Sequence, residues 1–598
     1  MSRDDRPTLS ANALEALRAR YLRRAPDGKI DETPDELFAR VARAVAEAEG
    51  RFGPPRQAAE WEERFRDAMT RLQFLPNSPT LMNAGTGVGQ LSACFVLPIE
   101  DSIDGIFTTL RLAALVHQTG GGTGFNFSAL RPAGDEVSGM MGVASGVLSF
   151  LRVFNAATEE MRQGGKRRGA NMGILNADHP DIADFIGAKR EPGTMRNFNL
   201  SVGASDAFMA AVTERRAWEL KSPRTGRATA SVDAATLFRR IAEAAWAAGD
   251  PGLVFLDALE RANPTPALGA IQTTNPCGEV PLLPHESCNL GSINLAACLR
   301  RQGPQHAFDW DAFRDLVRLG VRFLDDVVEV NRYPSSALEA MARGNRKIGL
   351  GVMGLAETLI RLGVAYDSPE AGRLASDIAR VLRETADAAS AALAGERGVF
   401  PNWRESVFGR AQQPRRNATV LSIAPTGTIS LIAGTTSGIE PLFGIAYTRS
   451  HVLGGRALPE VSPLFAEHMD ARGLDWRPLI PVILRTGSVQ DVGGVPEEIK
   501  RVFRCALDID PMDHLRMQAA FQAHVDNAVS KTVNLPFSAG VDVVERVYRE
   551  AHRMGLKGIT VFRYGSRSEQ VLSLGAKPHD ERFDLAHLTS CDPGACRV

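Results

Sequence analysis

Apolar positions in the first part of the chain recur at helical spacing: Leu14, Leu17 and Tyr21, then Leu37, Val41 and Val45. Steps of three and four place such residues on one helix face. The spacing predicts a small N-terminal helical region over residues 1–70, rich in Ala, Arg and Glu. Beyond it the pattern changes. Short apolar runs, Leu91-Ser92-Ala93-Cys94-Phe95-Val96-Leu97-Pro98, Asn199-Leu200-Ser201-Val202, Gly252-Leu253-Val254-Phe255, Val420-Leu421-Ser422-Ile423, Thr532-Val533-Asn534-Leu535 and Gly558-Ile559-Thr560-Val561, alternate with stretches of helical period. One such stretch runs through Ile106, Leu110, Ala113 and Ala114 behind the capping candidates Asp101-Ser102-Ile103-Asp104, and another covers 147–162. Strand-length runs between helices predict an α/β fold. Charged and small residues dominate 566–598, which reads as a flexible tail and leaves 71–565 as the main body.

Composition narrows the function classes. The chain has 598 residues, 44% hydrophobic and 23% charged, with a formal net charge of −1. Near-neutral charge gives no general attraction to nucleic acid or anionic membrane. The N-terminus is charged throughout, and no apolar run reaches transmembrane length. Seven cysteines without a C-x-x-C pair argue against a zinc ribbon, so no metal site is expected, and the sparse count suits a reducing cytoplasm.

The chemistry concentrates in Asn275-Pro276-Cys277-Gly278-Glu279-Val280-Pro281-Leu282-Leu283, followed by Ser287-Cys288-Asn289-Leu290. Pro276 and Gly278 argue against a helix. In an extended segment, residues two apart share a face, so Asn275, Cys277 and Glu279 would point together. A thiol between an amide and a potential base is a catalytic set, against the plainer reading of a cysteine as a small core hydrophobe. Ala424-Pro425-Thr426-Gly427-Thr428-Ile429-Ser430 follows a predicted strand and opens an apolar run, a setting in which backbone N–H groups and hydroxyls cradle phosphate. Gly349-Leu350-Gly351-Val352-Met353-Gly354 matches G-x-G-x-x-G formally, but no convincing strand precedes it and no acid follows at the required distance; close helix packing is the expected role of these glycines. No H-E-x-x-H is present. Cys591 and Cys596, around Asp592-Pro593-Gly594-Ala595, sit on the flexible end with a turn between them, suited to thiol–disulfide exchange.

The N-P-C-G-E-V-P-L-L string resembles the finger loop of ribonucleotide reductases, in the wording of their adenosylcobalamin-dependent (class II) branch. L-S-A-C-F-V-L around Cys94, S-C-N-L-G-S-I-N-L from Ser287, K-I-G-L-G-V-M-G-L-A from Lys347 and G-I-E-P from Gly438 fit the same family in order, over about residues 70–565. The resemblance implies a ten-stranded α/β barrel of the ribonucleotide reductase type with a central finger loop. It implies that Cys277 carries a thiyl radical, that Glu279 acts as base, that Asn275 holds substrate, and that Cys94 and Cys288 supply two electrons by forming a disulfide. Ser78, Ala93, Gly122, Pro425, Thr426, Gly427, Thr428 and Ile429 match substrate-binding positions. Asp101, Lys166, Arg167 and Arg168, with the loop 189–196, match a deoxynucleotide effector site at a homodimer interface. The implied cofactor is adenosylcobalamin, the substrate a ribonucleotide, read as a diphosphate, and the outside reductant a thioredoxin-like protein serving Cys591 and Cys596. The runner-up is the catalytic subunit of the diiron-partnered branch, which needs adjacent tyrosines; the six tyrosines here are never adjacent. A nicotinamide-dependent dehydrogenase and a non-catalytic nucleotide-binding regulator are the more distant readings.

Overall fold

In the computed structural model, residues 7–136, 142–163, 167–303, 305–449, 458–566 and 572–573 are described. The chain divides into two compact units, Met1–Pro441 with Ile509–Ser568, and Leu442–Asp508 with Glu569–Val598.

The first unit is organised by a ten-stranded sheet. Its strands are β1 (Phe74–Pro76), β2 (Cys94–Val96), β3 (Gly122–Asn126), β4 (Asn171–Asn176), β5 (Phe198–Ala204), β6 (Gly252–Phe255), β7 (Ser287–Asn294), β8 (Ile348–Met353), β9 (Thr532–Leu535) and β10 (Gly558–Arg563). Strands β2 to β6 pair in sequence and in parallel. β7 pairs with β8, and β9 with β10, also in parallel. The run Val420–Ile423 fills the place between them, because Leu421 bridges Leu350 and Ile423 bridges Val529, both in parallel. The two parallel halves meet antiparallel at β2/β7 and at β6/β10, and that closes the ring. β1 lies antiparallel on the same edge of β7 as β2. This is the ten-stranded α/β barrel that the resemblance implies.

Helices cover the outside for the usual reason: a parallel sheet must bury both faces. Val202, Leu253, Val533, Leu535, Ile559 and Val561 point outward into one apolar cluster with Phe238, Ile241, Val544, Val547 and Tyr548 of the helices Ala234–Ala248 and Val541–Arg553. A second cluster joins the N-terminal helices to the barrel. Leu17, Tyr21, Leu37, Val41, Val45 and Phe65 share it with Phe74, Phe323 and Leu350, and Phe65 meets Phe323 edge-on at 5.0 Å. The helical spacing of the first residues is therefore the spacing of this seam. Helix Pro34–Ala46 starts with a complete capping box, Thr33 and Glu36 satisfying one another's backbone N–H.

The glycines of 349–354 differ from expectation. They do not serve helix packing, since Ile348–Met353 is itself strand β8. A Cβ on Gly351 would stand 2.2 Å from the carbonyl oxygen of Ser422, and one on Gly349 2.4 Å from a Leu290 methyl. The missing side chains let the Val420–Ile423 run press against β8.

The second unit contains the helices Pro463–Asp470, Ile480–Thr486 and Glu497–Val502 and the antiparallel pair Ala446–Arg449/Leu458–Val461. Phe465 and Phe503 pack edge-on at its centre, 5.6 Å apart. No helix among the described residues is long and apolar enough to cross a membrane.

Candidate active site

The finger is a hairpin. Thr273–Thr274 pairs antiparallel with Pro281–Leu282, and the six residues between them form its tip. Asn275 closes the tip three ways. Its N–H donates to the Val280 carbonyl at 3.2 Å, its Oδ1 accepts from the Val280 N–H at 3.0 Å, and its carbonyl accepts from the Gly278 N–H at 3.1 Å. Gly278 has φ +84°, the left-handed region that favours glycine. The tip is thus a turn and not an extended run. Asn275 and Glu279 come together at its base, both buried, while Cys277 sits exposed at the apex.

Both halves of the barrel hold this finger. In β3, a Cβ on Gly122 would lie 2.7 Å from Pro276 Cγ, and one on Gly124 1.7 Å from the Thr274 carbonyl oxygen. In β5, Asn199 Nδ2 donates to the Pro276 carbonyl at 2.8 Å. From the opposite half, Ser422 Oγ and the Ala528 N–H both donate to the Glu279 carbonyl at 2.9 Å. Val280 and Leu282 pack with Cys94, Val96, Cys288 and Leu290, while Ile271 and Leu283 pack with Met172, Ile174 and Val254. The finger therefore stands inside the ring. Asn199, Ser422 and Ala528 carried no signal in the sequence, since an amide, a hydroxyl and a backbone N–H in a strand or loop look structural until the fold places them.

Cys94 and Cys288 are direct cross-strand partners at the β2/β7 seam. Opposed residues of an antiparallel pair have Cα atoms about 4.5–5.5 Å apart, within the roughly 4.4–6.8 Å that a disulfide spans. Neither is in a disulfide, and both are buried. Burial pushes both thiols well above the ordinary range, with the nearby Glu279 charge adding to the effect on Cys94. Asn275 Nδ2 donates to Cys94 Sγ at 3.1 Å, so one side chain ties the finger to the dithiol. Glu279 is 2% exposed. Burial raises its carboxyl to about 7, against the opposing effects of its own N–H and the Asn275 side chain. Its Oε2 is buried without a hydrogen-bond partner.

The other substrate-site candidates fall in three places. Ala93 and Gly122 flank the dithiol: Gly122 pairs with Cys94, and its N–H donates to the Ala93 carbonyl at 2.8 Å. Pro425 to Ile429 leave the barrel directly after the Val420–Ile423 run. Thr426 takes the left-handed conformation, φ +56°, and caps helix Gly427–Ala433, while its hydroxyl accepts from the Gly438 N–H at 2.7 Å. Gly427 is exposed at the helix start, with Thr428 half-buried beside it. Ser78 begins helix Ser78–Asn83, its hydroxyl 2.7 Å from Tyr21 Oη.

Asp101 lies away from this lumen, just before helix Ile103–Gln118, and pairs with Arg131: its Oδ2 accepts from Arg131 Nε at 2.9 Å. Arg167 and Arg168 form a short strand pairing with Arg162–Gln163, and only their backbone is described. In the loop 189–196, Lys189 turns inward and donates to Asp250 Oδ2 at 3.0 Å. Lys166, Cys591 and Cys596 lie outside the described residues. No group of three or more potential metal-ligating side chains occurs among the described residues.

Comparison with known proteins agrees with this geometry. Residues 92–413 and 409–562 match the ribonucleotide reductase barrel domain, and 8–89 match the ribonucleotide reductase all-alpha domain. The chain is 52% identical over 594 residues to the vitamin B12-dependent ribonucleoside-diphosphate reductase of Mycobacterium tuberculosis, covering 99% of this chain and 85% of that protein. It is 43% identical to the protein of the same name from Thermoplasma acidophilum, covering 95% and 80% respectively. It is 31% identical to the vitamin B12-dependent ribonucleotide reductase of Streptomyces clavuligerus, covering 96% and 67%. A finger hairpin bearing a thiol, a raised carboxyl and a facing dithiol inside a ring of two antiparallel halves, together with these matches over nearly the whole chain, places it in the ribonucleotide reductase family as a catalytic chain.

Proposed function

We propose that this chain reduces ribonucleoside diphosphates to 2′-deoxyribonucleotides by a thiyl-radical mechanism, with adenosylcobalamin as cofactor, and so supplies DNA precursors. The observation that carries the reading is the tie that Asn275 makes between the finger bearing Cys277 and Glu279 and the Cys94/Cys288 pair. The names of the relatives support both the diphosphate substrate and the cobalamin. The fingertip fits the cofactor: Cys277 is exposed, and the position of a Gly278 side chain meets nothing within 4 Å. At this tip Cys277 and Gly278 would face bound adenosylcobalamin, which would supply an acceptor for the Cys277 thiol hydrogen atom.

The remaining roles belong to the chain. The Cys277 radical takes the 3′ hydrogen of the ribose, and Glu279 accepts the proton of the 3′ hydroxyl through its unpartnered Oε2. The 2′ hydroxyl leaves as water. Cys94 and Cys288 each give up one hydrogen and end as a disulfide, so the two electrons of the reduction are balanced. The 3′ hydrogen then returns from Cys277, and Glu279 gives its proton back to the 3′ oxygen. Asn275 keeps the finger in register with the dithiol, and Ala93 and Gly122 line the ribose side. The Pro425–Ile429 turn holds the phosphates on the backbone N–H groups of Thr426 to Ile429, and Ser78 completes that contact.

The same proposal covers regulation and reductant. Helix Ile103–Gln118 leaves Ile103 64% and Phe107 48% exposed one turn apart, and Val153 of helix Val147–Glu160 is 36% exposed. An exposed apolar row on a barrel enzyme suits pairing with a second copy. A deoxynucleotide effector would sit beside that row, held by Asp101, Lys166, Arg167 and Arg168. Residues 1–70 serve as a helical support, 71–565 as the catalytic barrel, and 566–598 as a tail whose Cys591 and Cys596 relay electrons from a cytoplasmic thioredoxin-like protein. The test is turnover of the purified chain with nucleoside diphosphate, adenosylcobalamin and a dithiol, no second protein added. Deoxynucleotide should form. Activity only after addition of a metal-containing radical subunit would transfer the chain to the diiron-partnered branch.

A further inference from the structure

A buried ion pair stands behind the turn assigned to the phosphates. After helix Gly427–Ala433 the chain returns through Ser437-Gly438-Ile439-Glu440 and packs on that turn. The Gly438 N–H donates to the Thr426 hydroxyl at 2.7 Å, and Ser437 Oγ lies 3.0 Å from Ser430 Oγ. A Cβ on Gly438 would stand 2.9 Å from the Ala424 carbonyl oxygen. The shape of the turn therefore depends on where this return segment sits. Glu440 anchors the segment: its Oε1 accepts from the Thr532 N–H at 2.7 Å, and its Oε2 from Lys531 Nζ at 2.8 Å. An ammonium has only donors, and Lys531 directs the others to His514 Nδ1 at 2.9 Å and the Thr532 carbonyl at 3.2 Å. One residue earlier, the Ile439 carbonyl accepts from Tyr366 Oη at 2.6 Å, and the Tyr366 ring centroid is 5.8 Å from Lys531 Nζ.

The Lys531 side chain and His514 are fully buried, while the Glu440 side chain is 25% exposed. Burial pulls the Lys531 ammonium below the ordinary lysine range, against the opposing effect of Glu440. A buried ion pair does little for stability that apolar side chains would not do as well, and the chemistry as read uses none of these groups. Their neighbours supply the reason. The Ser530 N–H donates to the Ile423 carbonyl at 2.9 Å, directly before the turn, and the Ala528 N–H holds the Glu279 carbonyl. Residues 528–532 thus grip the entrance to the turn, its return and the finger. We propose that Glu440, Lys531 and Tyr366 are positioning residues of the substrate site, which hold the phosphate turn in the shape that receives a nucleoside diphosphate. This rests on the substrate reading above.

The experiment measures kcat and KM for ADP in the full chain with adenosylcobalamin and a dithiol, the inhibition constant of inorganic pyrophosphate in the same assay, and thermal melts. Three variants are compared with the unmodified chain: Lys531→Met, Lys531→Met/Glu440→Gln and Tyr366→Phe. Lys531→Met leaves Glu440 without its cation and should melt lower, whereas the double variant leaves no unpaired charge and should melt near the unmodified chain, as should Tyr366→Phe. KM for ADP and the pyrophosphate constant should rise together, about tenfold in both Lys531 variants and about threefold in Tyr366→Phe, as lost charged and neutral hydrogen bonds would give. The kcat should stay within about twofold, because the finger and the dithiol are untouched. Unchanged KM and pyrophosphate constants overturn the proposal. So does a fall in kcat at constant KM, or a rise in KM that pyrophosphate does not share. Affinity that recovers along with the melt in the double variant would make the pair structural only and overturns it too. If the unmodified chain forms no deoxynucleotide from ADP, or pyrophosphate does not compete, the substrate reading fails and takes this inference with it.

Discussion

Glu279 offers the most direct measurement. Moving a carboxyl from 4.5 to about 7 corresponds to about 3 kcal/mol in favour of its neutral form. The cause is burial of a side chain with one oxygen unpartnered. As the base for the 3′ hydroxyl it must be ionised, so the active form gains as pH rises through about 7. At pH 6 about a tenth of the free enzyme would be competent, and at pH 8 about nine-tenths. The assay is kcat/KM for deoxynucleotide formation between pH 5.5 and 8.5, which reports the free enzyme. It should fall about tenfold per pH unit on the acid side. Glu279→Gln should remove that limb and lower the rate by about 10²–10⁴. Stability supplies an independent check, with opposite sign. The folded chain keeps this proton between 4.5 and about 7 while the unfolded chain releases it, so the contribution to stability is full below 4.5 and lost as pH rises through 7. Glu279→Gln should therefore gain up to about 3 kcal/mol relative to the unmodified chain between pH 4.5 and 8. An acid limb near 4.5, or one that survives in Glu279→Gln, would refute the reasoning.

Further outcomes can be set beside this one. Cys277→Ser should keep its circular dichroism and melting profile and form no deoxynucleotide, since Cys277 itself is exposed at the apex; product at the native rate would remove Cys277 from the chemistry. Gly124→Ala puts a carbon within 1.7 Å of the Thr274 carbonyl oxygen, so the finger cannot seat. Denaturant titration should give a loss of about 1–3 kcal/mol together with lost activity, and an unchanged midpoint would contradict the packing. Asn199→Ala removes the donor to Pro276 and should lower kcat about tenfold at constant KM, as expected for a lost interaction worth about 1.4 kcal/mol in the transition state; a raised KM alone would make Asn199 a substrate contact instead. The double variant Cys591→Ser/Cys596→Ser, when pre-reduced, should complete about one turnover per site through the resident dithiol and then stall with thioredoxin, with partial rescue by a small dithiol. Sustained thioredoxin-driven turnover would reject the relay.

Sequence reading reached the strands well where apolar runs were short and bounded. Cys94–Val96, Phe198–Ala204, Gly252–Phe255, Thr532–Leu535 and Gly558–Arg563 all lie within or over predicted runs. It misread 349–354, because glycine in a strand and glycine at a helix contact leave the same trace in one dimension. The reason for Gly351 is the Ser422 backbone, which lies far away along the chain. The spacing of Asn275, Cys277 and Glu279 was visible, but its explanation changed. Alternation along an extended run gave way to a turn made by Gly278, and that is why one of the three is exposed and two are buried. The groups that clamp the finger were invisible, since a single Asn or Ser in a strand gains meaning only when another strand brings its acceptor.

The two antiparallel seams explain why this ring, and not an all-parallel barrel, suits the chemistry. β2 overlaps β7 by two residue pairs, Phe95 with Ser287 and Cys94 with Cys288, and β6 overlaps β10 by two, Leu253 with Ile559 and Val254 with Gly558. Short overlaps leave space inside for a hairpin that belongs to neither seam. They also make register decisive, because the side-chain period of a strand is two. A slip of one residue at β2/β7 would turn Cys94 outward, take the acceptor from Asn275 Nδ2, and separate the dithiol at once. The apolar residues next to each thiol oppose that slip: Phe95 belongs to the outer cluster and Val96 to the inner one. Moving either to the other face would expose or crowd a side chain that is now fully buried, at about 1.5–3 kcal/mol each. The packing that holds the barrel closed is thus the same packing that keeps two thiols, a carboxyl and a fingertip together inside one ring.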